Sequence, residues 1–417
     1  MSDSSAKKGS ILALLGPGIL VAATGVGAGD LINASIGGSE LGLTVLWAAW
    51  VGALLKWFLN EGIARWQIAT ETTLLEGWVQ RLGRWIQWVF LLYLVAWTFF
   101  TGGALVSACG VAGTGLLPLS SDLGNSKILW GIIHSLIGAA LVLLGGFKLF
   151  ERMMAFFIAM MFVAVVFTAA MSSPDWGAMA SGLLIPRIPG GDIAWVLGLL
   201  GGVGGTVTLM SYGYWIREKG RKGAEGMRTC RLDLTVGYTM TAIFGISMIM
   251  IGSKVDLQKG PTVALELAGQ LEAVMGPAGK WVFLVGFWGA VFSSLLGVWQ
   301  SIPYLFADFL LLTRGASDKP GSVNADLDAT PAYKGYLAFI ALAPLPLLWI
   351  SLKSAQKIYA VMGSFFMPLL ALTLLLLNNR RGFVGDEFKN RWASNLALVG
   401  TLALFGYLAA VKVLGTP

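Results

Sequence analysis

Apolar segments of about 20 residues, the length that crosses a bilayer as a helix, recur along the whole chain. Of its 417 residues, 56% are apolar and 12% are charged, with a mean hydropathy of +0.74. Soluble domains carry about twice that charged fraction. The pattern predicts an all-α, multi-pass membrane protein with eleven spans, at about residues 11–37, 41–62, 86–109, 128–147, 150–171, 193–216, 232–252, 281–309, 334–352, 357–377 and 392–413.

The first and the sixth of these spans are interrupted at their centres by glycine and polar residues. The first reads GPGILVAATGVGAGDLINASIGG and the sixth reads VLGLLGGVGGTVTLMSYGYWI. Backbone N–H and C=O groups inside a bilayer must be paired, so an unwound stretch persists only where it is buried in protein or lines a polar cavity. Paired breaks of this kind are typical of secondary transporters, in which they form the substrate site.

The net charge of +7 follows the positive-inside rule along the chain and does not indicate nucleic-acid binding. With the N-terminus inside, 20 Lys and Arg residues fall on inner segments and 8 on outer segments, while Lys56 falls within a span. The first apolar stretch is too long for a signal peptide and stays as span one. We expect a bacterial-type inner (plasma) membrane protein with a cytoplasmic N-terminus and an outer C-terminus.

Spans one to five and spans six to ten each begin with a broken helix, and since five is odd, the second set is inverted relative to the first. The sequence thus predicts a 5+5 inverted repeat in a single transporter domain, 1–417. Repeat one covers about 11–171, repeat two about 193–377, and an extra helix about 392–413. Three loops are predicted to be long, at 172–192, 253–280 and 314–333.

The two breaks supply most of the candidate binding residues. Asp30 is the acidic residue nearest the centre of a span, where a carboxylate is expected to be functional. The alternative is that Asp30 caps the half-helix after it, and the two roles are compatible. The half-helix ends direct free N–H and C=O groups at one midplane site. The candidates at the breaks are Thr24, Gly27, Gly29, Asp30, Asn33, Thr206, Thr208, Met210, Ser211 and Tyr212.

The chain resembles the Nramp family of metal-ion transporters over nearly its whole length, through its opening GPG at 16–18, its two broken spans, its eleven spans and its inner N-terminus. The resemblance implies a leucine-transporter-like fold and alternating access. The family's metal motif Asp-Pro-Gly-Asn, however, corresponds to GAGD at 27–30, so the first ligand position has no side chain. The family's Met-Pro-His falls on TLM at 208–210, although a shift of two residues puts Met210 at the ligand position. The charged residues of spans three and nine and the histidine of span six are also missing.

Spans three and eight should flank the breaks in this fold, and they add Trp97, Ser294 and Gln300 as binding candidates. Aromatic faces beside hydroxyl and amide groups suit a sugar ring, although most Trp residues are expected to anchor or pack the helices. The candidates for coupling are Asp30, Glu61 and His134. Glu61 lies four residues before Arg65, which indicates an intrahelical pair, with gating as the alternative. His134 is expected to be hydrogen-bonded within the bundle, with proton relay as the alternative.

The missing ligands decide the functional prediction. A transition metal needs several converging ligands, and replacement by Gly27 widens the cavity. The sequence therefore predicts a secondary active transporter that moves a small neutral polar organic solute, a sugar such as glucose, by proton-coupled symport. The alternative is a divalent metal ion transporter for Mn²⁺/Fe²⁺ or for Mg²⁺, which keeps much of its water and so needs few protein ligands.

An intramembrane enzyme is a further alternative, but the spans lack a nucleophile with a base and lack paired carboxylates. The prediction is therefore of no enzymatic activity, no catalytic residue, no resident metal and no cofactor. The expected partners are the small-molecule substrate, the lipid bilayer and a coupling ion such as the proton, without nucleic acid. The oligomeric state stays open.

Overall fold

The computed structural model of the chain describes residues 29–145, 147–172, 175–188, 193–202, 205–257, 262–314 and 327–414. For residues 29, 30, 147–155 and 412–414 it describes the backbone alone. Most of predicted span one, with the candidates Thr24 and Gly27, lies outside the described residues. Regular structure in the described part is helical, and a π-helical turn at Gly29–Asn33 comes first.

The helices follow one another in chain order. They are α1 (Ala34–Leu41), α2 (Leu46–Thr70), α3 (Leu74–Arg81), α4 (Arg84–Leu116), α5 (Leu123–Leu144), α6 (Phe147–Met171), α7 (Trp176–Leu184), α8 (Ile193–Gly202), α9 (Ser211–Glu218), α10 (Gly223–Gly252), α11 (Val263–Met275), α12 (Pro277–Thr313), α13 (Pro331–Leu342), α14 (Leu352–Ser364), α15 (Phe366–Asn378), α16 (Arg381–Val384) and α17 (Trp392–Leu414). Short 3-10 turns occur at Gly42–Val45, Val207–Met210, Leu327–Ala329 and Leu345–Trp349.

Within the described residues, nine helical segments are long and apolar enough to cross a bilayer, and the bent pair of α6 and α7 makes a tenth. These ten correspond to predicted spans two to eleven. The segment Leu31–Thr70 joins the end of predicted span one to span two. The prediction of a multi-pass membrane protein is confirmed, while the orientation of the termini and the single domain stay predictions.

Two of the predicted long loops contain helices. In 172–192, α7 begins at the cap Asp175, whose carboxylate accepts the N–H groups of Gly177 and Ala178. The indole N–H of Trp50 on α2 then donates to the carbonyl of Leu183 at 2.9 Å. In 253–280, α11 buries one face, which consists of Val263, Ala264, Leu267, Ala268 and Leu271. A short amphipathic face that packs on larger helices is enough to order each segment.

Small residues let the backbones of α1 and α10 touch. A methyl group added at Gly38 of α1 would lie 2.2 Å from the carbonyl oxygen of Ile249, and one added at Gly252 of α10 would lie 2.1 Å from that of Ser35. Such close approach is the usual way in which membrane helices gain packing energy. This contact holds the half-helix after the first break against the second half of the chain.

We expect Gly252→Ala to destabilise the protein by about 1–3 kcal/mol, because the added methyl group forces backbone against backbone. Gly269→Ala is the matched control. Gly269 also lies in a helix, α11, but a methyl group there meets nothing within 4 Å. The check is the thermal unfolding midpoint of both variants in detergent. Equal midpoints for the two would contradict the tight contact between α1 and α10.

Candidate functional site at the helix breaks

The predicted first break lies mostly outside the described residues, and the described chain begins with a π-helical turn, Gly29–Asn33, that leads into α1. Asp30 is the second residue of this turn. The capping role of its carboxylate stays a prediction. Residue 33 precedes α1, and its side chain makes no capping hydrogen bond. The Asp30 side chain is outside the described part of the structure.

Asn33 is fully buried, and neither its amide nitrogen nor its amide oxygen has a hydrogen-bond partner among the described residues. Its Nδ2 lies 3.1 Å from the position that a methyl group on Gly202 would take, so the amide lies beside the last residue of α8. An unpaired buried amide is costly and rare. Asn33 thus places an amide without a partner among the described residues beside the second break.

The second break lies between α8 and α9. Gly205 has a φ of +88°, and a methyl group on it would lie 2.9 Å from Thr208 Oγ1. A residue with a side chain would therefore be strained in this conformation. After Thr206, whose φ and ψ are −135° and −101°, the chain makes the 3-10 turn Val207–Met210 and enters α9 at Ser211.

Helix α14 packs directly on the broken span. A methyl group on Gly198 would lie 2.7 Å from Ala360 Cβ, and one on Gly201 would lie 2.7 Å from Ser364 Cα. One on Gly363 of α14 would lie 2.7 Å from Thr206 Cγ2. The space beside these glycines is therefore filled by the neighbouring helix and does not form a cavity for a large solute.

Two predicted residues from distant spans meet at the second break. The indole N–H of Trp97 on α4 donates to Thr206 Oγ1 at 3.0 Å, and both side chains are buried. Since Trp97 uses its only polar group on the protein, it holds the break in place. A residue later, Thr98 bonds to the hydroxyl of Tyr336 on α13 at 2.9 Å.

Sequence reasoning missed Lys56 as a site residue. It lies on α2 and is fully buried, and its ammonium donates to the carbonyl of Gly201 at 2.8 Å. The signal was present, since Lys56 interrupts the apolar run AAWVGALLKWFLN of a predicted span. Its partner was not evident because 145 residues separate the two.

The other predicted binding residues differ in where they lie. Thr208, Met210, Ser211 and Ser294 are buried. Tyr212 is buried as well, but its hydroxyl donates to the carbonyl of Cys230 on α10 at 3.4 Å. Gln300 is exposed on α12, so the structure does not bring its side chain to the breaks. The helical period explains this, because its neighbour Trp299 takes the buried position.

Glu61, predicted as a coupling residue or as half of an ion pair, is at the centre of a buried ionic network. It pairs with Arg65 on the same helix, and its other carboxylate oxygen accepts two N–H groups of Arg231 at 3.0 and 2.9 Å. Arg65 also donates to the carbonyl of Lys389 and to Ser394. The network ties α2 to α10 and to the start of α17.

His134, the other coupling candidate, is held at both ring nitrogens. Its Nε2 accepts the indole N–H of Trp288 at 2.8 Å, and its Nδ1 lies 2.7 Å from the carbonyl of Trp130. This pattern requires a neutral ring with its proton on Nδ1. His134 thus lies within the helix bundle as predicted, and a proton on Nε2 would break the bond to Trp288.

A second polar cluster joins α9, the part of the broken span after the second break, to its neighbours. The Tyr214 hydroxyl on α9 donates to Asp308 on α12 at 2.5 Å, and Arg217 on α9 pairs with Glu76 on α3 at 3.0 Å. Arg221 follows α9 in the chain. Burial lowers the pKa of its guanidinium, but the hydrogen bonds to Cys230 and Asp233 raise it by more, so the pKa lies above its ordinary value. These contacts fix α9 firmly at its C-terminal end.

Comparison with known proteins identifies the family of this chain. The model of the family described as natural resistance-associated macrophage protein-like, or Nramp, matches residues 18–415. The chain belongs to the Nramp family. One Nramp relative, the divalent metal cation transporter MntH of Klebsiella pneumoniae, is 23% identical over 99% of this chain and 98% of its own length. An uncharacterised protein of Pasteurella multocida is 24% identical, over 62% of this chain but only 60% of its own length.

Solved structures share the fold of this chain. A manganese transporter of Eremococcus coleocola superposes with a TM-score of 0.75 at 18% identity, covering 99% of this chain and 88% of its own. MhsT, solved in complex with L-phenylalanine, superposes with a TM-score of 0.62 at 15% identity, and the match covers 95% of this chain and 97% of MhsT. The predicted leucine-transporter-like fold is confirmed.

The predictions of sugar transport and of a sugar symporter are wrong. The Nramp family model covers nearly the whole chain, and a relative that aligns over 99% of it is named a divalent metal cation transporter. The inference rested on a cavity widened at Gly27, which lies outside the described residues, and it gave the missing ligand more weight than the resemblance over the whole chain. Trp97, taken as a face for a sugar ring, is also buried among the helices and uses its N–H on Thr206.

Proposed function

We propose that this Nramp protein is a secondary transporter that moves a divalent metal cation across the membrane by alternating access. The observation that carries the proposal is the Asn33 amide, which is fully buried beside the end of α8 and has no partner among the described residues. An amide oxygen without a hydrogen bond is a natural ligand for a hard cation. The metal transporters among the relatives support the same cargo.

The chemistry of the site favours oxygen ligands. Asp30, three residues before Asn33 in the sequence, is proposed as a second oxygen ligand from its position in the chain alone. Within the described residues, no three His, Cys, Asp or Glu side chains cluster as a metal site. Met210, the one sulfur at the second break, belongs to the buried apolar core. Few ligands, all of them oxygen, suit Mg²⁺ or Mn²⁺ that keeps part of its water.

We expect purified protein in liposomes to take up Mg²⁺ or Mn²⁺ saturably, as read by ion-sensitive dyes inside the vesicles. Because the proposed ligands are hard, Cd²⁺ should compete more weakly than Mn²⁺. Empty liposomes and labelled glucose are the controls, and neither should show saturable uptake. Saturable glucose uptake without metal uptake would overturn the proposal, and Cd²⁺ that competes tenfold better than Mn²⁺ would make the sulfur of Met210 a ligand.

A further inference from the structure

Lys56 reaches the carbonyl end of α8 because α2 passes unusually close to it. One turn before Lys56, a methyl group on Gly52 would lie 3.0 Å from the carbonyl oxygen of Leu200. This approach brings the fully buried ammonium of Lys56 to 2.8 Å from the carbonyl of Gly201, the last residue but one of α8. The contact thus falls at the second break itself.

The last carbonyls of a helix have no partner within the helix. Together they carry a partial negative charge of about half an elementary charge. In transporters with broken helices, such carbonyl ends coordinate a monovalent cation, Na⁺, or a proton. An ammonium has the same charge as Na⁺ and is itself a strong donor to carbonyl oxygens. Lys56 therefore already places a positive charge at the end of α8, and this charge is part of the protein itself.

We propose that Lys56 is a resident cation at the second break, occupying the position at which a monovalent cation would otherwise bind. Two consequences follow for this chain. The carbonyl end of α8 needs no Na⁺, because the ammonium of Lys56 already compensates its partial negative charge. The cargo is held on the Asn33 side of the α8 terminus, because a divalent cation at the Gly201 carbonyl would meet the ammonium.

The test removes the ammonium and asks whether Na⁺ replaces it. Lys56→Met keeps the length of the side chain without the charge, and Lys56→Arg keeps the charge. Lys127→Met is the matched control, because Lys127 is also a buried lysine that donates to a backbone carbonyl, that of Ile350 at 2.9 Å. The measurement is the thermal unfolding midpoint of each protein in NaCl and in choline chloride at equal ionic strength.

We expect the wild type and Lys56→Arg to unfold at the same temperature in both salts. Lys56→Met should unfold at a lower temperature in choline chloride and recover in NaCl as the Na⁺ concentration rises, whereas Lys127→Met should be lowered equally in both salts. A Lys56→Met protein that gains nothing from Na⁺, or that folds in neither salt, overturns the proposal. A wild type that Na⁺ stabilises also overturns it. The readout involves no cargo, so its outcome is separate from that of the proposed metal transport.

Discussion

Asn33→Leu is expected to lose metal uptake by at least about tenfold while unfolding at the same or a higher temperature. A ligand that bonds to a charged partner contributes about 1.5–3 kcal/mol, and 1.4 kcal/mol corresponds to tenfold in affinity. Leucine has nearly the shape of asparagine and leaves no buried polar atom unpaired. Since the Asn33 amide has no partner among the described residues, its replacement removes no hydrogen bond that stabilises them.

The matched control for this prediction is Asn378→Leu. Asn378 is equally buried, but its amide nitrogen donates to the carbonyl of Gly62 at 2.9 Å. That variant should lose about 1 kcal/mol of stability and keep its uptake per folded molecule. Uptake by both variants in proteoliposomes, with unfolding midpoints in detergent, decides the question. If Asn33→Leu transports as well as the wild type, the amide is not a ligand and the proposed site is wrong.

Glu61→Gln is expected to lower the unfolding midpoint by several degrees. The substitution keeps the shape but removes the charge that compensates Arg65, which is only 3% exposed. Breaking one partner from a buried pair typically costs about 3–5 kcal/mol. The same substitution at Glu71, whose pair with Lys222 is about two-thirds exposed, should cost less than about 1 kcal/mol.

The same pair of variants separates stability from coupling at Glu61. If the network is structural, Glu61→Gln loses stability and its uptake falls in proportion to the folded fraction. A Glu61→Gln protein that is as stable as Glu71→Gln but transports nothing would contradict the structural role. It would instead make Glu61 a residue of the transport cycle. Thermal unfolding and uptake measured on the same preparations distinguish the two outcomes.

Spans two to eleven and the second interruption were predictable because the bilayer imposes them locally. A span needs about 20 apolar residues, and a break needs glycine and polar residues in the middle of such a run. Both patterns can be recognised within one continuous segment of the sequence. The i,i+4 pair of Glu61 and Arg65 is a local feature of the same kind, and the structure contains it.

The helices of the long loops were missed for a related reason. A nine-residue helix such as α7 is marginal on its own and forms because it packs elsewhere. The bonds from Trp47 and Trp50 on α2 to the carbonyls of Arg187 and Leu183 come from residues more than 130 positions away. No sequence pattern within 172–192 predicts these hydrogen bonds.

The sequence by itself determined the membrane class, the broken sixth span, the family and the candidate residues near the second break, because each depends on neighbouring positions or on a motif. Only the tertiary structure decided which of these residues use their polar groups on the protein. Trp97 and Thr206 bond to each other, Lys56 bonds to Gly201, and Asn33 has no partner among the described residues. The physical reason is that a polar group can bind a ligand only if it is not already hydrogen-bonded within the protein. Those hydrogen bonds join helices that are distant in the chain, so the sequence does not reveal them.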